Sequence, residues 1–122
     1  MKSDFKNVFL NKLNHFVEEV YRLTDKFPKE ELYCLTSQLR RAALSVVANV
    51  YEGYARASTK EFIHFLYISL GSLAEVKFYL KFSESRIYIS KEDFVFISEL
   101  SEEVGKMVWT SKEKLKNKLY KE

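Results

Sequence analysis

Apolar residues return every three or four positions along this chain, the spacing that gathers them on one face of an α-helix. The first run is Phe5, Phe9, Leu13, Phe16, Val20, Leu23 and Phe27, which predicts a helix over about residues 4–26. Pro28 ends it, because proline disfavours helix at the residue before it, while its own fixed backbone suits the first turn of a new helix. The second helix is predicted over about 29–52, with Glu30 and Glu31 at its positive end. Leu32, Leu35, Leu39, Ala42 or Ala43, Val46 and Val50 form its inward stripe, and Gly53 suits a left-handed C-terminal cap.

Ser58-Thr-Lys-Glu61 has the form of a capping box and starts a third helix that should reach about Ser83. This helix is apolar on two faces. Phe62, Leu66, Leu70 or Ser69, Leu73 and Leu80 make one stripe, and Ile63, Tyr67, Ala74 and Phe78 make another. One bundle core needs only one stripe, so the second should be buried by other chains. Glu84 to Ile89 reads as an extended linker. Ser90 with Asp93 then starts a fourth helix, carrying Phe94, Ile97, Leu100 or Ser101, Val104, Met107 or Val108, Leu115 and Leu119. Its pattern thins after Trp109, so the basic end from about residue 110 should fray. Four such helices on short links predict an all-α, up-down-up-down four-helix bundle, with residues 1–122 as one domain.

Composition agrees with that reading. Hydrophobic residues make up 47% and charged residues 30%, as in a chain that folds. Three Gly and one Pro are too few for the frequent turns of a β-sandwich or barrel. The densest apolar stretch, Ala42 to Tyr51, is broken by Ser45 and Asn49, so no membrane span is expected. Asp4, Lys6 and Lys12 interrupt the place where a signal peptide would carry its apolar core, and a cytoplasmic location is the expectation. The single Cys34 excludes a disulfide within the chain and a cysteine-based zinc site. It fits a reducing compartment and, beside Leu32 and Leu35, is expected to be a buried, inert thiol.

Candidate chemistry is sparse. No nucleophile with a partner histidine is evident, so neither catalytic residues nor a cofactor is expected. Glu61-Phe-Ile-His64 is the pattern with which bundles bind two metal ions. Such sites need two copies plus a Glu from each of the other helices, and here it occurs once, with Glu61 engaged in the cap, so no metal is expected. Gln38, Arg41, Ser45, Asn49 and Glu52 follow one another at steps of three, four, four and three. They form a polar stripe along the second helix, for which Ser72 and Glu75 are plausible partners and Gly71 allows close backbone approach. A structural or inter-subunit network is favoured over a ligand site. The net charge is only +3, but Arg40, Arg41 and Arg56 cluster about the second helix. From Lys106 to Lys121 six lysines, among them Lys112, Lys114, Lys116 and Lys118, face the single acid Glu113. That pattern suits the helix dipole and also sequence-blind phosphate contact. Most aromatic residues sit at core spacing, so no base-stacking platform is expected.

The middle of the chain carries Phe27-Pro-Lys-Glu-Glu31, Leu35-Thr-Ser-Gln-Leu-Arg-Arg-Ala-Ala43, Ser45-Val-Val-Ala-Asn-Val-Tyr-Glu-Gly53 and Leu70-Gly-Ser-Leu-Ala-Glu75. Over roughly residues 20–100 this resembles the four-helix-bundle family first noticed in intervening sequences of the 23S ribosomal RNA gene. Relatives include the accessory variability protein of diversity-generating retroelements. The resemblance implies a small bundle that assembles into a homopentamer. It also implies a link to RNA and, in the retroelement relatives, to nucleic acid and a reverse transcriptase. Two positions depart from the family pattern: Val47 stands where many relatives have proline, which should weaken any kink in the second helix, and bulky Tyr51 stands where a small residue precedes Glu-Gly. The family has no established catalytic set. The expected function is therefore a non-enzymatic oligomeric scaffold contacting RNA or DNA, with a purely protein-binding module as the alternative.

Overall fold

The computed structural model describes residues 2–121, with side chains from residue 4 onward. Four helices account for most of the chain: α1 Lys2–Thr24, α2 Ser37–Tyr54, α3 Thr59–Ser85 and α4 Lys91–Lys121. Each packs against its sequence neighbour and α4 returns to α1, the closed order of an up-down-up-down bundle. The core is the stripe set by the apolar spacing. Phe9, Leu13, Phe16 and Val20 of α1 meet Leu39, Val46 and Val50 of α2, Leu66 and Val76 of α3, and Ile97 and Val104 of α4, all fully buried. Burial of each such Leu, Ile, Val or Phe side chain contributes about 1.5–3 kcal/mol.

Four local expectations are corrected. Residues 29–36 are not the first turns of a long α-helix. Lys29–Glu31 form a 3₁₀ turn and Leu32–Thr36 a π-helical turn, in which the Glu31 carboxylate accepts a hydrogen bond from the Leu35 amide (3.4 Å). A π turn holds more residues per turn than an α-helix and so shifts the facing of side chains. Leu35, Thr36 and Leu39 point in, whereas Leu32 and Tyr33 point out. Cys34 is consequently exposed rather than buried.

Gly53 does not cap α2 in the left-handed region, since no described glycine has a positive φ. The helix runs on to Tyr54, and a Cβ at Gly53 would sit 2.7 Å from Cδ1 of Phe62. The glycine is there for close approach of α2 to α3, a role the sequence reading gave to Gly71. Gly71 instead is exposed, with nothing within 4 Å of an added Cβ.

The segment after α3 is not extended. The Tyr88 amide donates to the Ser83 carbonyl and the Ile87 amide to the Glu84 carbonyl, both at 2.9 Å. This double bond pattern closes a helix through a left-handed residue, here Ile87 at φ 62°. Ile89 then drops into the core, and the Tyr88 hydroxyl donates to Glu31 (3.0 Å). Finally, α4 is helical to Lys121, and Ser111 and Lys112 on it are buried rather than exposed.

The two departures from the family pattern are accommodated simply. Val47 is buried in an uninterrupted α2. Tyr51 lies half-exposed, its hydroxyl accepting a hydrogen bond from Asn14 of α1 (3.3 Å).

Candidate nucleic-acid interface

The antiparallel order places the start of α1, the end of α2, the start of α3 and the end of α4 at one end of the bundle. Contacts confirm the grouping: the Lys6 ammonium lies 4.7 Å from the Tyr54 ring centre, Lys114 lies 4.8 Å from that of Phe5, and Lys116 donates to the Tyr67 hydroxyl (3.4 Å). Arg56, just past α2, stacks on Phe65 (4.9 Å) and pairs with Glu52. Lys114, Lys118 and Lys121 are exposed there, as are Lys6 and Lys60. Neither Lys6 nor Lys60 stood out in the sequence. Their contribution comes from helix direction, a signal available once an up-down-up-down order was inferred. The acids at this end are Asp4, Glu52, Glu61 and Glu113. The Tyr67 phenol, by hydrogen bonding and charge, holds the Lys116 ammonium above the usual lysine range.

Arg40 and Arg41 do not belong to this end. They lie in the first turn of α2, about 24 Å along the helix axis from Arg56 at 1.5 Å per residue. Arg40 is tied to the end of α1: its Nε donates to Thr24 Oγ1 and its Nη2 to Asp25 Oδ1, both at 2.8 Å, with the guanidinium 4.5 Å from the Tyr21 ring centre. It clamps α1 to α2. Arg41 is exposed and bonded to Gln38 (2.9 Å). Lys112 is withdrawn as well. Its side chain is only 7% exposed, with the ammonium 5.1 Å from the ring centres of both Tyr67 and Trp109 and 3.7 Å from a Glu113 oxygen. Lys106 is exposed nearer the middle of α4.

The polar stripe on α2 is only partly a network. Ser45 Oγ and Ser72 Oγ share a 2.7 Å hydrogen bond across α2 and α3, and Asn49 Nδ2 donates to the Ser45 carbonyl (2.8 Å) and hydroxyl (3.1 Å). Glu52 and Glu75 are exposed. Glu52 pairs with Arg56 and no hydrogen bond links Glu75 to Ser72. A second bond between α2 and α3 lies outside that stripe. Ser69, fully buried, donates to the Val46 carbonyl at 2.7 Å; its helical position among apolar residues disguised it. Ser58 Oγ accepts from the Glu61 amide (3.2 Å), so the cap forms on that side. His64 sits edge-on to Phe65. Among the described residues no three His, Cys, Asp or Glu side chains gather to hold a metal ion.

Apolar side chains remain on the surface. Phe78 and Phe82 of α3 stack at 6.4 Å while 63% and 43% exposed, and Tyr67 and Ile68 of α3 and Leu44 of α2 are also exposed. No helix is long and apolar enough to cross a membrane.

The fold and this end together define a small four-helix bundle with a basic end and an uncovered apolar face on its third helix. A family model described as the 23S rRNA-intervening sequence protein matches residues 6–110, and the chain belongs to that family. The architecture is similar to that of a crystal structure of a protein of unknown function from the S23 ribosomal protein family of Bacteroides thetaiotaomicron. The two share 24% sequence identity and a TM-score of 0.82, over 89% of this chain and 98% of the other. No curated protein matches the chain by sequence.

Proposed function

We propose that this protein is a non-enzymatic, cytoplasmic scaffold that assembles with copies of itself, as a homopentamer, and holds RNA or DNA by phosphate contacts. The observation that carries this reading is the gathering of Lys6, Arg56, Lys60, Lys114, Lys116 and Lys118 at one end of the bundle by helices of alternating direction. A single such end is a weak phosphate site. Assembly about a symmetry axis repeats it, and contacts that are weak singly add when one polymer engages several subunits. The uncovered face of α3 gives the copies a surface to meet on.

Binding of this kind is sequence-blind, increases with polymer length and falls with salt, with a log-log slope near −0.7 per phosphate contacted on single strands. Filter binding of RNA and DNA over a range of salt tests it. Changing Lys60, Lys114, Lys116 and Lys118 to Gln should flatten the slope and weaken all sequences alike. Absence of binding at low salt, or binding unmoved by those changes, favours the protein-only module, whose basic end then serves solubility.

A further inference from the structure

Trp109 is the only tryptophan in the chain, and it lies where the apolar pattern of α4 ends, 52% exposed. It forms one wall of a groove of about 450 Å³ between α3 and α4, shared with Leu70, Ala74, Gly105 and Lys106. That volume is within the range of small-ligand sites. The groove is open over Leu73 because two of the residues beside it, Gly105 and Ala74, are small. A Cβ at Gly105 would sit 3.1 Å from Leu73 Cδ2, so the position is kept bare, and Ala74 adds only a methyl group opposite. Trp109 is also held in place: the buried Lys112 ammonium lies 5.1 Å from its ring centre and equally far from that of Tyr67. Such cation-π contacts fix a ring that would otherwise be a mobile surface side chain.

The charge around this ring is mixed with a basic excess: Glu102 also lines the groove, and Glu113, one turn beyond Trp109 on the same face, lies 3.7 Å from the Lys112 ammonium. Lys106 lines the groove and makes no ion pair among the described residues. Lys116, seven residues beyond Trp109, lies two turns further along the same face of α4. On the α3 wall Lys77 is neutralised by Glu102 (2.7 Å). A flat aromatic face with lysines on either side along the helix axis matches an unpaired base flanked by its phosphates. A duplex hides its base faces and cannot use the ring.

We propose that the α3–α4 groove beside Trp109 is a stacking site for one unpaired base of a single-stranded nucleic acid. This rests on the nucleic-acid reading above and adds to it a preference for single strands that lysines alone do not provide. The groove opens on the α4 side of α3, and Phe78, one turn beyond the groove-lining Ala74, borders it, so the stacking site adjoins the face offered for assembly.

The lone tryptophan supplies the readout. Oligouridylate and oligothymidylate should quench Trp109 fluorescence on binding, whereas an abasic strand and an RNA duplex of the same length should bind without quenching. Comparing the two bases' strands separates an RNA from a DNA preference. By anisotropy, Trp109→Ala should weaken single-strand binding about five- to 160-fold, the equivalent of about 1–3 kcal/mol for one base-aromatic stack. Duplex binding should be unchanged, and Trp109→Phe should keep most of the single-strand affinity. Single strands that bind without quenching, or a Trp109→Ala variant that loses single strands and duplex equally, would overturn the stacking site and leave the electrostatic reading standing. Failure of every polymer to bind at low salt would overturn both.

Discussion

Ile87 sits at φ 62° and 87% exposed, a left-handed position that usually belongs to glycine. An L-residue there carries about 1–2 kcal/mol of strain, and a β-branched side chain that touches little does not repay it. Replacing Ile87 by Gly should therefore raise the stability of the subunit by about 1 kcal/mol, measured by urea unfolding. A loss would show that the isoleucine is packed by something outside the subunit. Asn49 makes a contrasting case. A fully buried asparagine would cost about 1–3 kcal/mol to replace, but here its bonds go to Ser45 one turn away, and Ser45 keeps Ser72 as a partner. Asn49→Leu should thus lower stability by only about 0.5–1.5 kcal/mol, a fall of a few degrees in thermal melting. An unchanged melting temperature would place the Asn49 amide effectively in solvent.

How far the helices were legible depended on what set each side chain's direction. In α1 the spacing of Phe9, Leu13, Phe16, Val20 and Leu23 named the buried face correctly, because a regular helix converts spacing directly into direction. After Pro28 the same reasoning put Leu32 and Cys34 on the inside, and the π turn at Leu32–Thr36 turned them out. Irregular turns have no apolar period to read. At the α2–α3 seam the Ser45–Ser72 contact was legible from the polar stripe, whereas the close approach falls at Gly53 and Ser69 rather than Gly71, because small residues look alike in sequence whether they face a neighbour or solvent. Gly71 shows the converse. It is a mid-helix glycine with open space around it, where alanine would add about 1 kcal/mol of helix stability. If another copy's backbone packs over this face, Gly71→Ala should leave the unfolding of the isolated subunit unweakened while reducing assembly at the same protein concentration. Undiminished assembly would move the contact elsewhere on the molecule.

For the molecule as a whole, charge and apolar surface only made sense after the helices were placed. Along the sequence the basic residues fall in two groups, Arg40, Arg41 and Arg56 about α2 and the lysines of α4. In the fold, Arg40 is a clamp between α1 and α2, Arg41 lies at the opposite end, Lys112 is buried, and Lys6 and Lys60 join the others. Which residues share an end depends on helix direction, which a list of charges does not carry. The second apolar stripe of α3 was legible, and its outer members Tyr67 and Phe78 are indeed uncovered by the subunit, while Ile63 is buried within it. Phe78 and Phe82 together expose a stacked aromatic pair that a lone subunit would leave in water, against about 25 cal/mol for each Å² of apolar surface. Repetition of the basic end follows only if that face is covered by further copies. Light scattering coupled to size exclusion therefore tests the account most directly. It should give a mass of about five times 14.5 kDa, reduced when Phe78 and Phe82 are both changed to Ser. A stable species of one subunit's mass at micromolar concentration would contradict it.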